Sequence, residues 1–518
     1  MWCLGSDPNE RRCRFTDLCY KKDSNDFVFL SDISSIKSGL PSDRFSPALV
    51  GLSSVRDHNQ FYFNFVEIPF NVLNNNLTKS YKIEFLKGKT FIMSRFKADN
   101  LMHYFHDDLI PLYFTLQELG PKQIDLIFLN DIYSEPFHIP FDQNVFERVF
   151  PKSLTRNQMN ENTIYCMEES FVGLSKATTF YDSGFRSPQS AINKSEEESA
   201  LISKTIRKLT KDLNIDLKCD SNDIIFISRQ NNRKIINEEI LIQSIAKSSK
   251  LSVIKIENLY KNFEQIIKKV FCAQILIGIH GSALILSQFL RPGSSLIELF
   301  PFAINPDLVT PYKTLTQLKQ MDIHYFYWRN ILPNNTITHE EYPKHLGGVQ
   351  HLSVEEREVI VSKSEDVSQH LCCDDPYWLY RIYSDTIVDI NSFEEVLTKA
   401  MEKSSLPIDY HKELIAPGLV IGLSCEAIQS NDNQLITIVW QKPWNLHFID
   451  FTQMEIKYEV LVQEMSSNSA KSSLVTANQL SFLSKANKRY NIWIRCKVND
   501  IFGPFNTNPL ICLDNELN

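Results

Sequence analysis

From residue 223 onward, short apolar runs alternate with amphipathic ones at a steady spacing. "DIIFISR" (223–229) is almost continuously apolar, "NEEILIQSIAKSS" carries helical spacing, and "LSVIKIE", "LYKNFEQIIKKVFCA", "QILIGI" and "SSLIELF" continue the alternation. Strands buried on both faces read as unbroken apolar runs, so this rhythm predicts parallel βα units. Upstream, "KTFIMSRF" (89–96) and "IDLIFLND" (124–131) read as strands. "NKSEEESALISKTIRKLTKDLNIDL" reads as a long polar helix that "KCDSN" interrupts. The pattern predicts an α/β protein with two doubly wound, Rossmann-like halves, residues 1–215 and 216–405.

The last hundred residues change character. "LITIVWQKP", "EIKYEVLVQE", "YNIWIRCKV" and "PLICL" are short strands without intervening helices. Such spacing predicts a small all-β sandwich over residues 415–518, with a linker through "SSLPIDYHKELIAPG". Trp440, Tyr458 and Tyr490 suit a fibronectin type III sandwich, with Tyr490 placed for a tyrosine corner.

Composition narrows the possibilities. A chain of 518 residues, 43% of them hydrophobic, is long enough for several well-buried cores. The net charge of −8 argues against general nucleic-acid binding. No run of about 18 apolar residues spans a membrane. "MWCLGSDPNE" has no apolar signal-peptide core. There are 11 cysteines. Cys3, Cys13 and Cys19 crowd the start, Cys372 and Cys373 are adjacent, and no Cys-x-x-Cys pair suggests zinc. Disulfides fit better and imply an oxidising compartment. Glycosylation acceptor triplets at Asn76, Asn193 and Asn334 agree.

Three stretches carry candidate chemistry. In "DNLMHYFHDDLIPL" (99–112), Asp99 or Asn100 can cap a helix. Leu101, Phe105, Leu109 and Leu112 then form its buried stripe. His103 and Asp107 lie together on the other side, with His106 at the stripe's edge. Pro111 lacks an N–H, so the carbonyl of Asp107 loses its helical partner there. A carboxylate beside an imidazole fixes its tautomer and raises its basicity, as general-base work requires. The same spacing also serves a solvated helix face with one ion pair worth about 0.2–0.5 kcal/mol.

The second stretch is "ISRQNNRKIIN", where Arg229 and Arg233 follow a buried strand at its carboxyl end. Ligands of open α/β sheets bind there, and guanidinium forks match phosphate oxygens. An ordinary basic loop is the plainer alternative. In the third, "LIGIHGSALILSQFLRPG", a strand ends at His280, Gly281 and Ser282 and a helix follows at once. That is either a phosphate cradle without a GxGxxG signature or a tight turn capped by His280. Glu298 ends the next strand, where an acidic side chain can accept from a ribose. Tyr312 and Lys313 can reach phosphates or cap a helix.

The strings "DNLMHYFHDDLIPLYFTL", "SFVGLSKATTFYDSGF", "FISRQNNRKIINE", "IHGSALI", "ELFPFAINPDLVTPYKTL" and "HLCCDDPYWLYRIYSDTIVDI" closely resemble a glycosyltransferase family. It includes the plant xylosyltransferases and the extracellular O-GlcNAc transferase. The resemblance runs from the cysteine-rich start through the β-rich end. It implies a GT-B fold followed by a fibronectin type III domain. The implied reaction moves N-acetylglucosamine, with inversion, from UDP-N-acetylglucosamine (UDP-GlcNAc) to the 4-hydroxyl of an O-linked mannose on a dystroglycan-like protein. No cofactor is implied, since UDP-GlcNAc is a co-substrate and metal independence is expected. The family's His-x-x-x-Asp pattern lands on His103 and Asp107, with His106 beside them as catalytic residues. Arg229, Arg233, His280, Gly281, Ser282, Glu298, Tyr312 and Lys313 are assigned to the donor. Asn100, Asp108 and Arg95 are assigned to the acceptor. The full-length form is expected in the endoplasmic reticulum lumen on an N-terminal anchor, with a homodimer left open. The alternatives are a transferase with another donor or acceptor, such as epidermal-growth-factor-like repeats, or a non-catalytic fibronectin-type binding protein.

Overall fold

A computed structural model describes residues 2–4, 11–31, 50–55, 65–69, 81–120, 124–131, 148–182, 189–219, 222–259, 262–371, 374–404, 417–430, 432–443, 445–446, 455–467, 469–486, 488–498 and 501–512. The chain divides into two compact units, Met1–Pro407 and Ile408–Asn518. No helix among the described residues is long and apolar enough to cross a membrane. Asn76, Cys372 and Cys373 lie outside the described residues, whereas Asn193 and Asn334 are exposed.

The first unit holds two larger sheets. The first contains β1 (Trp2–Leu4), β2 (Arg12–Lys21), β3 (Asp26–Ser31), β4 (Phe65–Pro69), β5 (Lys82–Met93), β6 (Leu126–Leu129), β7 (Lys152–Thr155) and β8 (Thr163–Val172). Its order is β4–β3–β2–β8–β5–β6–β7, with β1 paired to β2. Strands β8, β5, β6 and β7 run parallel, but β2 pairs antiparallel with both β3 and β8. This half is therefore a mixed sheet, where the strand rhythm predicted a doubly wound parallel one. Cys19 on β2 is disulfide-bonded to Cys166 on β8, and Cys3 on β1 to Cys13 on β2.

Between β5 and β6 the chain forms α1 (Leu101–His103), a π-helical stretch (Tyr104–Leu109) and α2 (Ile110–Leu119). After β8 come the short pair β9 (Tyr181–Asp182) and β10 (Ser190–Ala191), then α3 (Glu196–Asp212). The start of α3 follows from a capping box. Ser195 accepts from the Glu198 amide while Glu198 reaches back to the Ser195 N–H, and three glutamates face the helix dipole.

The second sheet contains β11 (Ile224–Ile227), β12 (Val253–Ile256), β13 (Ile275–Ile279), β14 (Ser295–Phe300) and β15 (His324–Arg329). All its pairings are parallel, in the order β12–β11–β13–β14–β15. Helices α4 (Glu238–Ser249), α5 (Phe263–Cys272) and α6 (Pro311–Thr316), and a 3-10 helix (Ser282–Phe289), connect them. Counted within this block the order is 2-1-3-4-5, and its topological switch point falls between β11 and β13. Beyond β15 follow β16 (Thr336–Ile337), α7 (Pro376–Ile382), β17 (Asp385–Thr386) and α8 (Ile390–Lys403). One core spans both sheets. Phe105 of the π stretch meets Phe263 on α5 and Phe289 of the 3-10 helix at ring-centroid distances of 6.0 and 5.5 Å.

The second unit is all β. One sheet is β18 (Ile421–Ser430), β19 (Asn433–Gln441) and β22 (Gln479–Lys485). The other joins β20 (Ile456–Glu464), β21 (Ala470–Val475), β23 (Tyr490–Val498), β24 (Ile501–Phe502) and β25 (Leu510–Cys512). Trp440 and Tyr458 pack edge-on in its core at 5.4 Å. A Cys425–Cys512 disulfide links the two sheets. The Tyr490 hydroxyl bonds the Ser484 hydroxyl at 2.5 Å, a side-chain contact where a tyrosine corner would reach backbone.

Candidate active site

The helix at 101–119 is built around a conflict at Pro111. With no N–H at position 111, the Asp107 carbonyl loses the donor that an ordinary α-helix would supply from four residues on. The Ser54 hydroxyl supplies one, at 2.7 Å. Widening to π geometry over Tyr104–Leu109 does the rest, and such widenings recur at functional sites. Asn100 caps the start, its side-chain oxygen accepting the Met102 amide at 3.0 Å. That oxygen is therefore engaged in capping.

The π turn gathers two imidazoles on one carboxylate. Asp107 Oδ2 lies 2.6 Å from His103 Nδ1, and Asp107 Oδ1 lies 2.5 Å from His106 Nδ1. His106 Nε2 accepts the backbone N–H groups of Phe180 and Tyr181 at 3.0 and 3.2 Å. That fixes its tautomer: the proton sits on Nδ1 and is donated to Asp107. His106 is thus fully engaged and buried. Burial opposes the charge on Asp107, but the imidazoles of His106 and His103 outweigh it and hold the carboxyl well below the usual carboxylate range. His103 differs from its neighbour. Its side chain retains 12% exposure, Phe96 packs edge-on to its ring at 4.8 Å, and its Nε2 has no partner among the described residues.

Arg95 and Asp108, assigned to an acceptor from sequence, are buried instead. Arg95 and Asp131 sit two residues beyond the Met93–Leu129 register of parallel strands β5 and β6, and form a two-pronged ion pair at 2.8 and 2.9 Å. Asp108 Oδ1 accepts the Phe96 amide at 3.0 Å, and burial pushes its carboxyl well above the usual range. The two residues brace the turn that presses Phe96 against His103.

On the other sheet, Arg229 leaves the carboxyl end of β11, and His280–Gly281 leaves that of β13. The switch point thus brings together two motifs some 50 residues apart. A Cβ on Gly281 would lie 2.8 Å from an Arg229 terminal nitrogen and 3.1 Å from one of Arg233. With no Cβ, Gly281 sits against both guanidiniums without displacing either. Arg233 donates to the His280 carbonyl at 3.0 Å. Ser282 opens the 3-10 helix that follows, where the sequence predicted an ordinary helix.

Glu298 is not open to a ribose. It is fully buried on β14, with one oxygen 2.5 Å from His280 Nδ1 and the other accepting the Tyr325 hydroxyl at 2.6 Å. It orients His280 rather than facing a ligand. Tyr312 lies against His280, 5.7 Å between ring centroids, and its hydroxyl is raised by burial and by Glu298. Lys313 turns away to pair with Asp307 at 3.1 Å.

These clusters share one place. Helix α1 packs against the 3-10 helix that follows Gly281. Tyr181, whose amide holds His106, sends its side chain to the second sheet, where it lies in the electrostatic reach of Glu298 and Tyr312. Burial, with Glu298 nearby, pushes the Tyr181 hydroxyl up to about 12. Sequence reasoning missed Tyr181, Ser54, Asp131 and Tyr325, because each acts through a partner distant in the chain. Among the described residues no group of three or more His, Cys, Asp and Glu side chains is placed to hold a metal ion.

The family model of Glycosyltransferase 61 matches residues 101–297, a span enclosing the His103–Asp107 helix, both arginines and the His280–Gly281 turn. Curated relatives match over nearly the full chain. Protein O-linked-mannose beta-1,4-N-acetylglucosaminyltransferase 2 of Takifugu rubripes is 37% identical over 540 residues, covering 99% of this chain and 89% of its own length. The proteins of the same name from Danio rerio and Homo sapiens are each 36% identical, covering 99% of this chain and 88% of their own.

Proposed function

The chain belongs to the glycosyltransferase family of the protein O-linked-mannose β-1,4-N-acetylglucosaminyltransferases, and from that premise we propose that it moves N-acetylglucosamine from UDP-GlcNAc to the 4-hydroxyl of a protein-linked mannose. The observation that carries the reading is the packing of the His103 helix on the 3-10 helix after His280–Gly281, with Gly281 backed onto Arg229 and Arg233. A mixed-sheet first half and an all-parallel second half that takes the nucleotide support a GT-B enzyme, and the all-β sandwich supports a C-terminal fibronectin type III domain.

In this mechanism His103 Nε2 takes the proton of the mannose 4-hydroxyl. The oxygen attacks C1 of the donor sugar opposite UDP, the C1–oxygen bond to the diphosphate breaks, and the product is inverted. Asp107 stabilises the imidazolium through Nδ1–H. It is not itself the base, since it is buried and each of its oxygens is engaged by an imidazole. Charge developing on the departing UDP is met by Arg229, Arg233 and the amides after His280, with no metal in the scheme. The fibronectin module grips the acceptor polypeptide. The disulfides support work in the oxidising lumen of the endoplasmic reticulum. The test is transfer from UDP-GlcNAc to an O-mannosyl peptide, with and without EDTA. Equal transfer in both is expected. Absence of transfer refutes the activity, and loss with EDTA refutes metal independence.

A further inference from the structure

The arginine loop is held from outside the site described above. Arg229 is braced inside the loop, donating to the Asn232 carbonyl at 3.1 Å and its side-chain oxygen at 2.8 Å. Arg233 has a left-handed backbone, φ +55°, which a residue with a Cβ adopts at a cost, so its conformation needs support from elsewhere. That support comes from some 150 residues downstream. The Lys234 amide donates to Asp385 Oδ1 at 2.7 Å. The Thr386 amide donates to the Lys234 carbonyl at 2.8 Å, and the Ile236 amide to the Thr386 carbonyl at 2.9 Å. The guanidinium of Arg233 itself lies 4.8 Å over the Tyr383 ring.

Asp385 is the centre of this clamp. Its side chain is 2% exposed, and its second oxygen lies 2.9 Å from His339 Nε2. The His339 ring stacks flat on Tyr342, 4.3 Å between centroids. We propose that Asp385 and His339 form a positioning pair that sets the Arg233 guanidinium for the diphosphate of the nucleotide donor. The inference rests on the donor-site reading above. The His339 N–H donates to one carboxylate oxygen and the Lys234 N–H to the other, so the imidazole orientation is transmitted to the backbone next to Arg233. A buried carboxylate with one donor removed is left under-satisfied and shifts. Neither side chain touches the reacting atoms.

The test compares Asp385→Ala, Asp385→Asn, His339→Ala and Arg229→Ala in the full chain, by UDP calorimetry, donor and acceptor KM, kcat and thermal melting. Asp385→Ala is expected to raise the UDP Kd and the donor KM about tenfold or more and, because Arg233 also meets the charge developing on UDP, to lower kcat at saturating donor, while acceptor KM stays within about twofold. Asp385→Asn keeps an acceptor for the Lys234 amide and offers its own amide to His339. It should restore both constants to within about threefold of the parent. His339→Ala should move them in the same direction as Asp385→Ala, by about threefold to fivefold. The proposal is overturned if Asp385→Ala or His339→Ala lowers the melting temperature and leaves UDP affinity unchanged. It is also overturned if kcat falls while donor KM holds. Arg229→Ala separates the two levels. If it too leaves UDP binding intact, the donor-site assignment fails. If it weakens binding while the Asp385 and His339 variants do not, only the positioning pair fails.

Discussion

Replacing Asp107 by Asn tests the site's central arrangement without changing its shape. The two oxygens of Asp107 receive N–H groups from His106 and His103 at 2.5 and 2.6 Å. An amide presents one acceptor and one donor in their place. His106 cannot adapt, because a proton on its Nε2 would face the Phe180 and Tyr181 N–H groups at 3.0 and 3.2 Å. The Asn oxygen must therefore turn to His106 and its NH₂ to His103 Nδ1. His103 then becomes the other tautomer, with its proton on Nε2, the atom required as the base. The hydrogen-bond count is unchanged, so the fold should survive. Weakening two charge-assisted bonds costs about 1–3 kcal/mol, offset in part by no longer burying a charge. Loss of a general base costs on the order of 10²–10⁴ in kcat, about 3–5 kcal/mol of transition-state stabilisation. UDP release in the presence of O-mannosyl peptide gives the rate, and ¹⁵N NMR of the imidazoles gives the tautomer. UDP affinity should be unchanged. Turnover within about threefold of the parent would refute the assignment of His103 as base. A further drop on adding His103→Ala to Asp107→Asn would also count against the two acting as one unit.

Gly281→Ala pushes a Cβ toward the ends of two flexible side chains, so melting should hardly change. UDP affinity measured by calorimetry should fall about tenfold as both guanidiniums shift. Ser54→Ala removes the hydroxyl that donates to the Asp107 carbonyl and should cost about 1 kcal/mol in denaturant unfolding, with activity falling as the π turn relaxes. Asp108 is raised by burial, so the folded chain holds its proton more tightly than the unfolded one. Its stabilising effect is complete below about pH 4 and is lost as pH rises through the folded value. Asp108→Asn mimics the protonated acid, keeps an acceptor for Phe96, and should melt at or above the parent at neutral pH, the gap closing toward pH 4.

The central strands of the second sheet were legible because they are buried on both faces and therefore almost wholly apolar, whereas the edge strand β15, "HYFYWR", is largely half-buried and carries no such mark. Residues 224–227 and 275–279 are buried without exception. The first half was less so. Strand β2, "RCRFTDLCYK", mixes buried and exposed positions irregularly, and β8 carries Glu168 and Glu169 inside its span, so neither reads as a strand from composition alone. At the site, the Pro111 argument worked because it is local: a missing N–H orphans a carbonyl four residues back wherever the helix sits. The donor that answers it, Ser54, depends on tertiary packing and leaves no mark near Pro111. A helical wheel at 100° per residue found the His103–Asp107 pair but left His106 at an edge. The wheel assumes 3.6 residues per turn, and the π turn departs from that. Glu298, expected at a strand end and facing a ribose, lies inside β14 with both oxygens engaged. That Tyr325 and His280 would occupy both its oxygens follows from the β13–β14–β15 order, which a linear pattern does not contain.

Much of the polar chemistry of this chain is buried where the two sheets meet. His106 joins the Asp107 carboxylate to the Phe180–Tyr181 backbone, and Tyr181 carries on to the neighbourhood of Glu298, Tyr312 and His280. Every link uses a group that is costly to bury and tolerable only if satisfied. An apolar interface between the halves would hold them together as firmly, but it could slide by fractions of an ångström without loss. A hydrogen-bonded one cannot, because a shift strands a buried donor or acceptor. Inverting transfer needs the acceptor oxygen, C1 and the leaving oxygen nearly in line, so a small slip between a base on one sheet and a diphosphate cradle on the other would cost rate directly. The network thus favours alignment over bulk stability. It follows that His106→Phe, which retains a ring edge-on to Phe180 but removes all three hydrogen bonds, should harm kcat more than it harms melting.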